Sequence, residues 1–352
     1  MAAAGASDLR LSLQIYSTKV VAVLSKREAG PFTRVPYRDF AIRILENSDI
    51  DTKLVTTIES RSSFGWFIAP IISNETVSNI VIQSLNNGND GPMSEVLPLM
   101  VDVLEKKLNI TRLTLEDFGR RQTRDVLRLL STLRLTHLRL SSKDLSDDDV
   151  GNVADAIRAQ NGLQSIILDF PKMDPEHRTI IMAAALQFVP SVHLFHECVQ
   201  SELKVISEFV EARPTLRKLS IVHSGLNFAA LGRALRKNTS LQSLGLSTES
   251  KKGSYSGLFS GLATNESLLK LELDNVGRQD IPALITMLNS NKFLDNLVVG
   301  FQNPDFMSDE LEAALVNSGL TSLWLDVTDY PTRTELPQVI KDALARNRAE
   351  TQ

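Results

Sequence analysis

The sequence predicts an α/β solenoid, in which short parallel strands each lead into a helix and the pair repeats along most of the chain. Three observations carry that reading. First, an apolar triplet with spacing 0, 3, 5 recurs at Ile110/Leu113/Leu115, Leu135/Leu138/Leu140, Leu163/Ile166/Leu168, Val189/Val192/Leu194, Leu216/Leu219/Ile221, Leu241/Leu244/Leu246, Leu268/Leu271/Leu273, Leu294/Leu297/Val299 and Leu320/Leu323/Leu325. Second, the starts are separated by 25, 28, 26, 27, 25, 27, 26 and 26 residues, a period typical of solenoids. With 43% hydrophobic residues, chance gives such a series with a probability of roughly 10⁻⁴ or less. Third, the second half of each period has helical spacing, as in Ile281/Leu284/Ile285/Leu288, Phe228/Leu231/Leu235, Met307/Leu311/Leu315 and Leu203/Ile206/Val210.

Taken in order, residues 1–75 lack a clear repeat and are read as an N-terminal cap region holding degenerate repeats. They contain the alternating Leu9/Leu11/Leu13, the run Val20 to Leu24, and FGWFIAPII from Phe64 to Ile72. The repeats proper span 76–330, with a weaker match at Val77/Ile80/Ile82 and a helical face at Leu97/Met100/Val101/Leu104. Helix starts are marked by Asp174-Pro175 and by Ser146 ahead of Asp147, Asp148 and Asp149. The first is an N-cap followed by proline at the first helical position; the second places negative charge at a helix N-terminus. Asn238, Asn265, Asn291 and Asn317 each stand three residues before the next triplet, where a left-handed helix end is expected. Residues 331–352, with Leu336, Val339, Ile340 and Ala343, predict a C-terminal capping helix.

The segments TSLQSLGL, ESLLKLEL and SGLTSLWL resemble leucine-rich repeats of the ribonuclease-inhibitor-like class, over roughly 110–330. That resemblance implies a curved horseshoe, with parallel strands on the concave face and helices on the convex face. The family commonly has Asn or Cys three residues after each strand's last apolar residue. Here those positions hold Phe118, Lys143, Pro171, Glu197, Ser224, Glu249, Val276, Gln302 and Thr328, so no polar ladder is expected along most of the stack.

Composition excludes several functions. Lys+Arg number 38 and Asp+Glu 42, a formal charge of −4, which argues against a general nucleic-acid binder. The apolar content is enough to build a core, so the chain is not a disordered one. Its longest apolar stretch, around Phe67 to Ile72, falls far short of the ~20 residues that span a bilayer. The opening MAAAGASDLR has neither the basic nor the apolar region of a secretory leader. A single cysteine, Cys198, permits no internal disulfide and fits a reducing compartment, so a cytoplasmic monomer is expected.

Candidate chemistry is sparse. His196-Glu197-Cys198 could place an imidazole and a thiol on one strand face, but nothing in the sequence supplies an orienting group or an oxyanion donor; a buried thiol is expected. His193, His196 and Glu197 lack the thiolates of structural zinc, and no metal or cofactor is expected. Lys251 to Gly257, KKGSYSG, lacks the spacing of a phosphate loop and reads as a solvated loop.

What remains is the surface between the core leucines. Strand side chains alternate, so these positions point into the groove. Among them are Arg112, His137, Arg139, Ile167, His193, Phe195, Lys218, Lys270, Glu272, Asp274, Trp324 and Asp326, expected to contact a partner. Apolar Val222 and Val298 accompany Ile167, Phe195 and Trp324, and aromatic and Arg side chains are the usual interface anchors. Charge drifts from Arg112, Arg139 and Lys218 toward Glu272, Asp274 and Asp326. The function expected is a non-catalytic adaptor that binds a protein or peptide, with neither nucleic acid nor membrane as partner. The alternatives are a bacterial effector acting on a host protein through the same surface and, by family analogy, a regulator of a small GTPase or of a ubiquitin ligase.

Overall fold

The computed structural model describes residues 9–15, 20–25, 32–34, 53–58, 77–84, 96–106, 109–118, 122–142, 145–248, 253–327 and 336–351. The FGWFIAPII segment lies outside them. Two compact units result, Met1–Met173 and Asp174–Gln352.

In the first unit, strands β1 (Leu9–Ile15), β2 (Val20–Ser25), β3 (Phe32–Arg34), β4 (Lys53–Ile58), β5 (Val77–Ser84), β6 (Arg112–Phe118), β7 (His137–Ser142) and β8 (Ser165–Asp169) lie in the order β8-β7-β6-β5-β1-β2-β4-β3. From β5 to β8 the pairing is parallel and in sequence order, whereas β1–β2 and β2–β4 are antiparallel. Helices α1 (Val96–Leu104), α2 (Thr123–Thr132) and α3 (Asp147–Ala159) follow β5, β6 and β7. In the second unit β9 (Ser191–Cys198), β10 (Lys218–His223), β11 (Ser243–Ser247), β12 (Lys270–Val276), β13 (Asn296–Phe301) and β14 (Ser322–Val327) run parallel in chain order. Helix α4 (Pro175–Phe188) precedes β9. Then α5 (Gln200–Ala212), α6 (Ala229–Lys237), α7 (Ser256–Leu262), α8 (Ile281–Ser290), α9 (Asp309–Asn317) and α10 (Gln338–Thr351) follow the strands one by one.

The fold follows from the period. Every residue of the nine apolar triplets is buried, forming within each unit a core between strands and helices. Within each unit, successive repeats are stitched by a carbonyl spine at the strand entrances. Thr111 O accepts from both Thr136 N and His137 N, Thr136 O from Gln164 N and Ser165 N, and Arg217 O, Gln242 O, Leu269 O and Asp295 O do the same further along. The marked helix starts form as expected. Ser146 and Asp149 make a capping box on α3, and Asp174 accepts the Glu176 N–H with Pro175 at the first helical position of α4.

Several expectations are corrected. The asparagines do not adopt a left-handed conformation: Asn238 and Asn291 sit at φ −73° and −79° with extended ψ. They build a buried ladder instead. Asn238 Nδ2 donates to Val210 O at 2.5 Å, Asn265 Nδ2 to Leu235 O and Asn238 O, and Asn291 Nδ2 to Leu262 O and Asn265 O. Each Oδ1 in turn accepts the N–H groups that begin the next strand, such as Ser240 and Leu241, or Phe293 and Leu294. Gln160 holds the equivalent place in the first unit, donating to the Leu130 and Leu133 carbonyls. Asn317 is exposed and stays out of the ladder.

On the opposite edge, short polar links also exist where none were expected: Ser142 Oγ to Phe118 O, Asn275 Nδ2 to Thr248 O, and Gln302 Nε2 to Asn275 O. Of the family-Asn positions, Phe118 and Val276 hold buried apolar side chains. Helix α8 buries Leu284, Met287 and Leu288, so its inner face is turned from the expected one and leaves Ile281 and Ile285 half-exposed. In α10, Ile340, Ala343 and Leu344 are buried while Val339 is 45% exposed. Asn347 and Arg348 of that helix donate to the Ser318, Leu320 and Thr321 carbonyls, tying α10 to the entrance of β14. Finally, KKGSYSG is not wholly solvated. Tyr255 is buried and Ser256 opens α7, both held through their N–H groups by Asp280 Oδ1.

Candidate binding surface

The exposed strand face of each unit is built by the same alternation that buries the triplets. In the first unit, parallel register aligns Asn79, Arg112, His137 and Ser165 in one row across β5 to β8. The next row holds Val81, Thr114, Arg139 and Ile167. A cavity of about 260 Å³ opens between these rows, lined among others by Asn79, Arg112, Thr114, His137, Arg139 and Ser165. Arg139 Nε meets Glu116 Oε1 at 3.1 Å. His137 Nδ1 lies 2.9 Å from Thr136 Oγ1. Burial, and then the positive charge of Arg112, hold the His137 pKa below its usual value. Arg112 is exposed, and Ile167 half-buried.

In the second unit the corresponding row runs His193, Ser220, Gly245, Glu272, Val298, Trp324 across β9 to β14. Trp324 stands 41% exposed at one end. The row beside it reads Ser191, Lys218, Ser243, Lys270, Asn296, Ser322. Lys270 Nζ pairs with Glu272 Oε1 at 2.5 Å, and Ser247 Oγ donates to Asp274 Oδ2, so these acidic groups are partly met from within the face. Burial and Lys218 lower the His193 pKa, against the pull of Glu272. Asp326 pairs in register with Gly300, next to Trp324.

Phe195 stands on the exposed face, beside a shift in register. Leu194 pairs with Ile221, but Val222 pairs with Glu197, so Phe195 and His196 form a bulge that has no counterpart in β10. The alternation of β9 runs through it, leaving Phe195 50% exposed and His196 in the core. Similar register shifts occur in β6 and β12, where Asp117 and Asn275 take left-handed φ of 58° and 59°.

The histidine–cysteine pair lies on the buried side of β9. Burial, aided by Glu202, pushes the Cys198 thiol well above its usual range, so it does not supply a thiolate. His196, Cys198 and Glu202 bring their potential ligand atoms within 4.8 Å of one another, whereas His193 points to the exposed face and Glu197 is exposed. The sequence-adjacent trio is thus split, and Glu202 takes the acidic place from the next helix. Both Glu202 oxygens already serve other groups: Arg178 grips them at 2.8 and 3.1 Å, and the Val199 N–H donates to one at 2.8 Å. A cation there would have to displace a guanidinium, so the cluster is a buried ion pair tying α4 to the start of α5. Sequence reading missed Arg178 and Glu202, whose only trace is a charged residue at a helical position otherwise facing the core.

These features define a class by architecture, a parallel strand-helix repeat protein whose exposed strand faces carry mixed charges and isolated large apolar side chains. No model of a known protein family matches the chain, and no curated protein matches its sequence. Among solved structures, its fold is similar to that of the leucine-rich repeat-containing protein LegL7 from Legionella pneumophila. The identity is 14%, the match covers 92% of this chain and 91% of that one, and the TM-score is 0.44. Among the described residues, no helix is long and apolar enough to cross a membrane.

Proposed function

We infer that the chain is a non-catalytic binding protein that takes a protein or peptide partner on its exposed strand faces. The observation that supports this most is Trp324. It stands at the end of an ordered row containing His193, Glu272 and Val298, held up by rigid parallel strands. A half-exposed tryptophan among charged neighbours is the usual composition of an interface anchor, and preorganised strands lose little freedom on binding. Phe195, Lys218, Lys270 and Asp326 extend the same face, and Arg112, His137, Arg139 and Ile167 serve in the other unit. Site-specific photo-crosslinkers at positions 195 and 324, with one at the helical Arg236 as control, test the reading in the native cell. A common adduct is expected from the two strand positions and not from position 236. Trp324→Ala should weaken that adduct at least about tenfold, the scale of a hot-spot truncation, while thermal unfolding stays within a few degrees. Equal adducts from all three positions, or an equal loss of stability, would overturn it.

A further inference from the structure

We propose that the cavity on the first unit's strand face is a phosphomonoester site, built to hold a phosphorylated serine or threonine side chain of the partner. This rests on the partner-binding reading and names the chemistry of one of its anchors.

Size limits the guest. At about 260 Å³ the cavity is below the ~300–1,000 Å³ of sites that enclose drug-sized molecules or cofactors, so a single side chain is the guest that fits. Donors come next. Arg112 and Arg139 project from adjacent strands one row apart, where diagonal neighbours are about 7–8 Å apart and long side chains can meet on one group. The Asn79 amide, the Thr114 and Ser165 hydroxyls and the His137 ring line the same space. That is more donor capacity than one carboxylate can accept, and it suits the three oxygens of a phosphate monoester, which guanidinium forks match in geometry. Charge agrees in part. No acidic side chain lines the cavity, while Glu116, outside the lining, pairs with Arg139 at 3.1 Å, so Arg112 carries the larger share of the positive field. The positive charge of Arg112 already disfavours protonation of His137, and a dianion between them would turn that repulsion into attraction. A peptide crossing the strand rows would present such a side chain without leaving the face.

The test titrates the full chain with N-acetyl-phosphoserine methylamide, N-acetyl-aspartate methylamide and inorganic phosphate, read by the NMR signals of arginine Nε and of the His137 ring. Expected is saturable binding of the phosphoserine compound at the Arg112 and His137 signals, at least about tenfold tighter than the aspartate compound. Inorganic phosphate, lacking the ester arm, should bind more weakly. Arg112→Ala, at an exposed position, should lose at least about tenfold, with Lys270→Ala in the other unit unchanged. Comparable binding of the aspartate compound, tighter binding of free phosphate, or equal losses in R112A and K270A would overturn the proposal. The two readings separate when the crosslinking is repeated after phosphatase treatment of the partner. An adduct that forms equally well without phosphate sinks this inference and leaves the binding function standing. Phosphoserine binding at Arg112 with no strand-face adduct does the reverse.

Discussion

A buried histidine illustrates how one side chain sets a pH response. His223 Nδ1 accepts the Gly225 N–H, so its proton sits on Nε2 and is donated to Tyr255 Oη at 2.9 Å; Tyr255 passes its own proton to the Asp274 carbonyl. Phe228 stacks on Tyr255 and meets the imidazole edge-on. Burial holds the imidazole pKa down to about 4, against 6.5 for an ordinary histidine. The unfolded chain therefore binds the extra proton first as pH falls. The stability from this group is complete above pH 6.5 and is lost progressively between 6.5 and about 4, amounting to about 3 kcal/mol at ~1.4 kcal/mol per pKa unit. His223→Gln should remove most of that slope from denaturant midpoints measured across pH 7 to 4. A slope unchanged in the variant would place the acid sensitivity elsewhere. The His196–Glu202–Arg178 group shows the opposite arrangement. There burial works against the charged carboxylate, but His196, the Val199 N–H and Arg178 outweigh it and lower the Glu202 pKa.

Between helices the deciding quantity is distance. Helices α6 and α7 pack backbone against backbone: a Cβ placed on Gly261 would lie 1.9 Å from Gly232 O, and one on Gly232 would lie 2.0 Å from Gly257 O. Both obstacles are backbone and cannot rotate away. Gly261→Ala should cost about 3 kcal/mol or more in urea denaturation, the scale of severe overpacking. Gly151, in the middle of α3, has nothing within 4 Å of its would-be Cβ, so Gly151→Ala should stabilise by about 0.5–1 kcal/mol through helix propensity and loss of unfolded-state freedom. The opposite signs form the check, and a neutral Gly261→Ala would mean that the helices can separate freely. The same contrast shows what a sequence reveals. The triplets Leu241/Leu244/Leu246 and their kin were legible because burial of every strand demands them at a fixed period. The strand-face residues were legible too, since alternation follows from the pleat. The bulge in β9 was not legible because it leaves no compositional mark, and the true role of Asn238 was hidden because a turn asparagine and a ladder asparagine look alike. Arg178 and Glu202 stand too far apart in the chain to announce their pairing.

A stack of repeats has no long-range core: each strand-helix pair packs on its neighbours, so damage should spread by adjacency and then fade. Asn265 offers a direct measure, because four of its hydrogen bonds reach backbone groups, two in the preceding repeat and two just ahead of β12. Its Nδ2 donates to Leu235 O and Asn238 O, and its Oδ1 accepts from Ser267 N and Leu268 N. Asn265→Ala strips partners from buried backbone groups, each worth about 1–3 kcal/mol when left unsatisfied, so a local loss of about 3 kcal/mol is expected. In native-state hydrogen exchange the amides of β11 and β12 should open about a hundredfold more readily, at 1.4 kcal/mol per factor of ten. Those of β9 and β14, separated from this joint by intervening strands, should change far less. If every amide of the second unit lost protection equally, the unit would be a single cooperative block rather than a chain of neighbours, and a ligand on one strand would then stiffen all of them. If the gradient appears, a partner bound at Trp324 orders the repeats around β14 and leaves those near β9 to respond on their own. Separate contact points along such a surface could then be gained or lost one repeat at a time.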